Sequence, residues 1–146
     1  MLTFEGERVL PQPPQAVFAK LRDASFLAEC IPDATVQGQP QRDQVKLSVR
    51  PGLSFIGGSL TVNLTIVEAV EPSRLRFQAV SKGIGTSSDV STAVTLEPAD
   101  AGTHIRYQAE VTKLGGLLKA VPSGLIRGAA QKIIEQVWTR LEEKLK

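Results

Sequence analysis

The sequence predicts an α+β fold in which a curved antiparallel sheet of about seven strands wraps around a long C-terminal helix, with two short helices after the first strand. Apolar residues over residues 122–146 recur at spacings of three and four, which is typical of one face of a helix. Several upstream segments alternate apolar and polar residues instead, which is typical of strands. The helix needs a large apolar partner, and the preceding sheet is the available candidate.

The N-terminal third contains the first strand and both short helices. Residues 2–10 read as a strand, and the prolines that follow end it. Pro14 is well placed to open a helix, since proline fits the first helical turn. A second helix is expected over residues 26–30, because Pro32 disfavours helical geometry at the residue before it. Residues 35–39 form a brief strand in this interpretation.

The middle of the chain consists of alternating segments separated by turn residues. The alternation covers approximately residues 45–50, 60–66, 74–79, 88–96 and 104–111. A period of two with one apolar side predicts strands that are buried on one face and wet on the other. Glycine, proline and aspartate punctuate the short connections, so we expect an antiparallel meander. Because no repeat or linker divides the sequence, residues 1–146 are expected to form one domain.

The composition excludes several classes of protein. The chain has 146 residues, of which 42% are hydrophobic and 22% charged, as in an ordinary globular domain. Its net charge of +2 arises from 17 basic and 15 acidic residues, a balance that argues against nucleic acid as the main partner. Basic residues are in excess from Lys113 onward, and a solvated helix face explains this more simply than a docking patch does.

The sequence also indicates where the protein works. Charged residues interrupt the first ten positions, so they do not form a signal sequence, and no apolar run is long enough to span a membrane. One cysteine, Cys30, excludes an internal disulfide and agrees with a reducing compartment. We therefore expect a soluble, cytoplasmic protein, with peripheral contact at the inner membrane face as an additional option.

Catalytic and metal-binding motifs are missing from the sequence. One histidine, His104, and one cysteine cannot supply a typical zinc site, so neither a metal nor another cofactor is expected. No Gly-x-Ser-x-Gly motif accompanies a base, and the glycines at 83 and 85 are flanked by strand-like segments, which indicates a hairpin turn. Cys30 ends its predicted helix and is interpreted as a small buried apolar residue.

The order of elements and several short motifs carry a family resemblance. The motifs are Phe4-Glu5-Gly6, Pro13-Pro14-Gln15-Ala16-Val17-Phe18, Leu27-Ala28-Glu29-Cys30-Ile31-Pro32, Gly102-Thr103 before Tyr107, and Gly115-Gly116-Leu117. With them the chain resembles the helix-grip fold of the START-like superfamily, which includes polyketide cyclases and Bet v 1-like proteins. Within this superfamily it is similar, over nearly its whole length, to the CoxG-like family of carbon monoxide dehydrogenase subunits.

The resemblance implies a function and also shows two departures. It implies an accessory protein for a molybdenum-containing carbon monoxide dehydrogenase-type hydroxylase that helps its maturation or its electron delivery to the membrane. Asp33 stands where this family usually has glycine. Many members continue beyond the position of Lys146 into a linker and a hydrophobic tail, so direct anchoring of that kind is not expected here.

The candidate binding site is the space between the terminal helix and the sheet. Periodicity alone favours a solid core. Small and hydroxyl-bearing residues shift the balance towards a pocket, namely Gly124, Gly128, Ala129, Ala130, Ser88 and Thr92. The predicted ligand-binding residues are Phe55, Phe77, Val90, Thr92, Val94, Tyr107, Ala109, Leu117, Leu118, Ile126, Ala130, Ile133 and Val137.

The mouth of this pocket is expected where the helix begins. Leucines in residues 115–121 lie beside glycines and are expected to form an exposed mobile gate, with Phe55 and Ile56 as the opposite lip. Lys113, Lys119 and Arg127 would let this gate contact an anionic bilayer transiently.

Three functions remain open at the level of sequence. The leading hypothesis is a non-catalytic protein that binds an apolar small molecule such as a quinone or a lipid. A polyketide cyclase or dehydratase type enzyme would use the same cavity, with Tyr107 as the first candidate for moving protons. The third is an interaction module without a small ligand.

Overall fold

The computed structural model describes residues 2–50, 59–83 and 85–145, and for Leu117 it describes the backbone alone. These residues form seven strands, three α-helices and one 3-10 turn. In chain order the elements are β1 (Leu2–Leu10), α1 (Pro14–Leu21), α2 (Ala24–Cys30), β2 (Ala34–Gln37), β3 (Gln44–Val49), β4 (Leu60–Val70), β5 (Arg74–Gly83), β6 (Thr86–Ala99), β7 (Gly102–Gly116), the 3-10 turn (Leu117–Ala120) and α3 (Ser123–Leu145).

The strands form a single antiparallel sheet in the order β1-β7-β6-β5-β4-β3-β2. Strands β2 to β7 are consecutive neighbours, and β1 pairs with β7 at one edge. Helices α1 and α2 therefore carry the chain from one edge of the sheet to the other. The predicted antiparallel meander and long C-terminal helix are confirmed.

Local sequence signals set the helix boundaries. Helix α1 has proline at its first position, as expected. Helix α2 begins at Ala24, two residues before the predicted start, because the Asp23 side chain caps it by accepting a hydrogen bond of 2.9 Å from the backbone N–H of Ser25. Asp33 has a φ of 56°, a left-handed conformation that glycine adopts more easily.

Strands β6 and β7 extend well beyond the alternating segments that predicted them. Their pairing shifts between Asp89 and Val90, so that Thr112 is the extra residue of a bulge, and it then continues to Gly116. Gly115 and Gly116 thus lie in a paired strand opposite Ser87 and Thr86, and the expectation that they are flexible residues of a mobile gate is wrong.

The apolar core is divided into a large cluster and a small one. The large cluster lies beneath α1, α2 and the C-terminal half of α3, and it includes Leu10, Leu96, Ile105 and Leu141. The small cluster has three buried members, Phe4, Ala109 and Val111, with the half-buried Leu2, Val90, Leu114, Ala130 and Ile134 packed against them. The interior is therefore filled at one end of α3 and sparsely filled at the other.

Candidate ligand site between helix and sheet

Helix α3 is attached to β1 by an arginine on the inner face of the strand. Arg8 Nη2 lies 2.5 Å from Glu135 Oε2, and Arg8 Nη1 lies 3.1 Å from Glu142 Oε1. The two glutamates are seven residues apart and so share one side of α3. Because Arg8 is mostly buried, this pair of contacts fixes the rotation of the helix over the sheet.

Contacts at both ends of α3 show its direction along β1. Near the helix start, the Arg127 guanidinium lies 5.5 Å from the centroid of the Phe4 ring and donates a hydrogen bond of 3.4 Å to the Thr3 carbonyl. Near the helix end, Gln12 Nε2 donates to the Leu145 carbonyl at 2.7 Å. The helix and β1 consequently run in the same direction, and the start of α3 lies over the sparsely filled end of the core.

The two halves of α3 differ in how deeply their apolar side chains are buried. In the C-terminal half Trp138 and Leu141 are buried. In the N-terminal half the residues at helical spacing are all half-buried, namely Ile126, Ala129, Ala130, Ile133 and Ile134. Because this apolar stripe is only partly covered by the sheet, an apolar ligand can pack against it.

A cavity of about 520 Å³ lies beside the first turns of α3. Its apolar lining comes from the ends of β1 and β7, the 3-10 turn and α3, and its charged lining consists of two lysines, one in β7 and one in that turn. The lining residues are Leu2, Val111, Thr112, Lys113, Leu114, Leu118, Lys119, Val121, Ser123 and Ile126. We call this space the terminal cavity.

A second cavity of about 320 Å³ lies further along α3. Phe4, Tyr107 and Ile134 form its apolar part, and Glu5, Gln131 and Glu135 form its polar part. We call this space the edge cavity, since it lies at the β1 edge of the sheet. Phe4 belongs to the small core cluster that also borders the terminal cavity.

Tyr107 is held tightly by an aromatic ring and a glycine. Its ring stacks on Trp138 with a centroid distance of 5.0 Å, and a Cβ placed on Gly6 would lie 2.5 Å from its Cζ. Gly6 is thus required for the position of Tyr107. Burial, followed by the negative charge of Glu135, raises the pKa of the Tyr107 hydroxyl above its ordinary value, so this group keeps its proton at neutral pH.

The predicted site residues are divided between the two ends of the interior. Phe77, Val94 and Tyr107 belong to the large cluster, with Val137 packed against it, whereas Val90, Ala109 and Ala130 belong to the small cluster. Thr92 and Ile133 are half-buried. Leu118 and Ile126 line the terminal cavity. Phe55 and Ile56 lie outside the described residues, as does the side chain of Leu117.

Three expectations about the mouth of the site are wrong. Leu118 is only 8% exposed, because its side chain lines the terminal cavity instead of projecting into solvent. The glycines at 115 and 116 are residues of β7 and not of a loop. Gly124 and Gly128 are exposed with open space where a side chain would be, so they do not thin the sheet-facing side of α3.

Sequence reasoning missed most of the terminal-cavity lining. The alternating patterns place Leu2, Val111 and Leu114 in or next to strands without marking them as ligand contacts, and the bulge at Thr112 that reorients the end of β7 has no clear sequence signal. Arg8 could have been found, since Phe4, Gly6, Arg8 and Leu10 share one face of a strand, and a lone arginine among them implies an acidic partner on the element packed against that face.

Hydroxyl groups also lie on the inner face of the sheet. Ser81 and Ser88 pair across β5 and β6, and their side-chain oxygens are in hydrogen-bond contact. Ser88 shares its strand face with Thr92 and Val94, and both serines are half-buried. They provide polar groups on the sheet face that carries Val94.

The remaining reactive side chains are occupied structurally. Cys30 is fully buried, and burial raises the pKa of its thiol to about 11, which makes it unreactive at neutral pH. His104 Nε2 lies 3.4 Å from Glu7 Oε2 on the outer face. Among the described residues, no group of three or more His, Cys, Asp or Glu is arranged to hold a metal. None of the helices described is long and apolar enough to cross a membrane.

An open seven-stranded antiparallel sheet with a long C-terminal helix packed on it is the architecture of a START-like, helix-grip domain. Residues 6–146 match the sequence pattern of CoxG, the G subunit of carbon monoxide dehydrogenase. The chain therefore belongs to the CoxG family. No curated protein of known function is detectably similar to it in sequence.

Solved structures with low sequence identity share this fold. A conserved protein from Geobacillus kaustophilus is 19% identical, with 99% of this chain and 95% of that chain covered and a TM-score of 0.86. A START superfamily protein from Mycobacterium smegmatis is 11% identical, with 98% and 96% covered and a TM-score of 0.69. Ara h 8.0201 is 18% identical, with 99% and 97% covered and a TM-score of 0.68.

Proposed function

We propose that this protein binds an apolar small molecule, such as a quinone or a lipid, between α3 and the sheet. The observation that carries the proposal is the incomplete packing of α3. Its C-terminal half closes a large core, whereas Ile126, Ala130 and Ile133 in the N-terminal half remain half-buried, and Ile126 lines a cavity of about 520 Å³. Such a volume lies within the range of about 300–1,000 Å³ that small-molecule pockets occupy.

The chemistry of the lining supports a carrier more than an enzyme. The terminal cavity combines aliphatic side chains with a few polar groups, an arrangement that holds and orients a ligand without activating it. Ser88 and Thr92 add hydroxyls that suit a carbonyl or ester oxygen. Since these hydroxyls are uncharged and are not paired with a basic side chain, they provide binding contacts rather than acid–base catalysis.

Membership of the CoxG family supports an accessory role for the carrier. We propose that it serves a molybdenum-containing carbon monoxide dehydrogenase-type hydroxylase, through its maturation or through delivery of electrons to a quinone. The protein would then work in the cytoplasm, with transient contact at the inner membrane face. Affinity purification of a tagged chain from its native cell should retain the hydroxylase. Absence of the hydroxylase from such a preparation would contradict the proposed accessory role.

Membrane contact would occur near the start of α3. Lys113, Lys119 and Arg127 are exposed there, and each cation contributes about 1 kcal/mol near an anionic surface, which gives a transient association. Leu125 is also exposed, at 56%, beside these cations. Sedimentation with anionic but not with neutral vesicles tests this arrangement, and equal sedimentation with both would exclude it.

The test of ligand binding itself is chemical. Protein purified without detergent is extracted with organic solvent, and the extract is analysed by mass spectrometry. The proposal expects a stoichiometric apolar compound, and it expects the melting temperature to rise when a quinone or a fatty acid is added to extracted and refolded protein. A clean extract together with an unchanged melting temperature would overturn it.

A second candidate function has one observation in its favour. In a cyclase or dehydratase type enzyme, Tyr107 would donate a proton, and it does line the edge cavity together with Glu135. Burial raises the pKa of the hydroxyl, which keeps it protonated at neutral pH but also makes it a weaker proton donor. Tyr107→Phe would abolish turnover in an enzyme of this type, whereas it would leave the affinity of a carrier almost unchanged.

A further inference from the structure

The two cavities along α3 have opposite charge at their polar ends. The edge cavity is lined by Glu5 and Glu135. The terminal cavity is lined by Lys113 and Lys119, and none of the ten described residues that line it is acidic. A ligand that lies in the terminal cavity therefore meets positive charge where it leaves the apolar part.

The lysines of the terminal cavity are available to a ligand. In residues 2–50, 59–83 and 85–145, every ion pair found involves other basic groups, and both Lys113 and Lys119 are exposed. Asp89 lies opposite Lys113 in the pairing of β6 with β7, but the two side chains form no ion pair. The two lysines are the sequence neighbours of the apolar residues Leu114 and Leu118, and all four line the cavity. Two cations in an otherwise mainly apolar lining are complementary to a molecule with an anionic head and an apolar chain.

The backbone adds positive potential at the same place. Helix α3 has 23 residues and begins at Ser123, which lines the terminal cavity, and its first turn carries no acidic side chain. The amino end of a helix presents unpaired N–H groups and a partial positive charge. This potential reinforces the lysines.

We propose that the terminal cavity selects amphiphiles with an anionic head. The head lies between Lys113 and Lys119 near the start of α3, and the apolar chain lies against Leu2, Leu114 and Ile126. This proposal rests on the proposed function, since it specifies which apolar molecules the helix–sheet space takes. It predicts a preference that a purely apolar cavity would not have.

The experiment compares two probes that share one chain and differ in the head. Binding of dodecanoate and of dodecanol to delipidated protein is measured by isothermal titration calorimetry at low salt. We expect dodecanoate to bind about tenfold more tightly, a difference of about 1.4 kcal/mol. Raising the ionic strength should reduce that preference, because exposed charges are screened. Dodecyl phosphate, as a third probe, distinguishes a phosphate head from a carboxylate head.

Charge-neutral variants locate the head. Lys113→Gln and Lys119→Gln should each weaken dodecanoate binding about threefold, in line with exposed ion pairs, and should leave dodecanol unchanged. Lys46→Gln is the matched control, since Lys46 is an exposed lysine on β3 that lines neither cavity.

The outcomes separate this proposal from the proposed function. Equal affinity for both probes, or a preference that survives in the Lys113→Gln/Lys119→Gln double variant, would overturn head selection and leave apolar binding intact. If neither probe binds while a quinone does, head selection also fails. Absence of binding for the two probes and for quinones would overturn both proposals.

Discussion

Truncation of two apolar residues on the same helix measures how completely each half of α3 is packed. Leu141 is 2% exposed within the large cluster, and removal of such a side chain costs about 3 kcal/mol through lost burial and a new void. Ile126 already borders the terminal cavity, so Ile126→Ala enlarges a space that exists. Only its own partial burial is lost, which corresponds to about 1 kcal/mol.

The assay is urea unfolding of delipidated protein, followed by far-UV circular dichroism and by fluorescence. The single tryptophan, Trp138, stacks on the single tyrosine, Tyr107, and so reports loss of the packed half of α3. Leu125→Ala is the control, because Leu125 is 56% exposed and its truncation should change the free energy of unfolding by less than about 0.5 kcal/mol.

The expected ranking is therefore a large loss for Leu141→Ala, a small one for Ile126→Ala and almost none for Leu125→Ala. For a domain of this size, about 1 kcal/mol corresponds to a few degrees in melting temperature. If Ile126→Ala is as costly as Leu141→Ala, the start of α3 is as tightly packed as its end, and the reasoning behind the ligand site fails.

Three further predictions concern single side chains. Gly6→Ala should destabilise the protein by about 1–3 kcal/mol, because its Cβ would overlap the Tyr107 ring; an unchanged urea midpoint would contradict the close packing of that ring. Between pH 9 and 11 stability should fall by on the order of 2 kcal/mol through Cys30, since the unfolded thiol ionises first while the buried thiol has a pKa of about 11. Urea midpoints of Cys30→Ala should depend less on pH in this window, and an equal slope would refute this assignment. Asp33→Val should cost about 1–3 kcal/mol, because a β-branched residue is strained at a φ of 56°, whereas Asp33→Gly should be tolerated; equal midpoints for the two variants would argue against that backbone conformation.

Much of the fold follows from local patterns in the sequence. Alternation over residues 60–66 and 104–111 predicts strands that are buried on one face. The apolar positions of this alternation contain buried residues of β4 and β7, among them Leu64, Ile66 and Ile105. The spacing of apolar residues from 125 to 145 likewise predicts helix α3. Such patterns arise from the geometry of single elements, so one sequence is enough to read them.

The details of the site depend on geometry that no local pattern carries. The bulge at Thr112 and the continued pairing to Gly116 reorient the end of β7 and bring Leu114 to the terminal cavity. The rotation of α3 depends on Arg8, whose partners are more than 120 residues away in the chain. The sequence identified apolar residues that face the interior, but it did not show which of them fill a core and which border a cavity.

Ala130→Trp tests whether the start of α3 covers space that a ligand can occupy. Ala130 packs against the small core cluster, whose Val111 lines the terminal cavity, so an indole at position 130 would reduce the space beneath the start of α3. Gln136→Trp instead places the same ring on the exposed side of the helix. Binding of a short-chain quinone is measured by equilibrium dialysis, and folding is checked by urea unfolding. We predict that wild type and Gln136→Trp bind one equivalent, and that Ala130→Trp stays folded but binds at least about tenfold more weakly. An Ala130→Trp variant that unfolds, or one that binds the quinone as wild type does, would contradict the account.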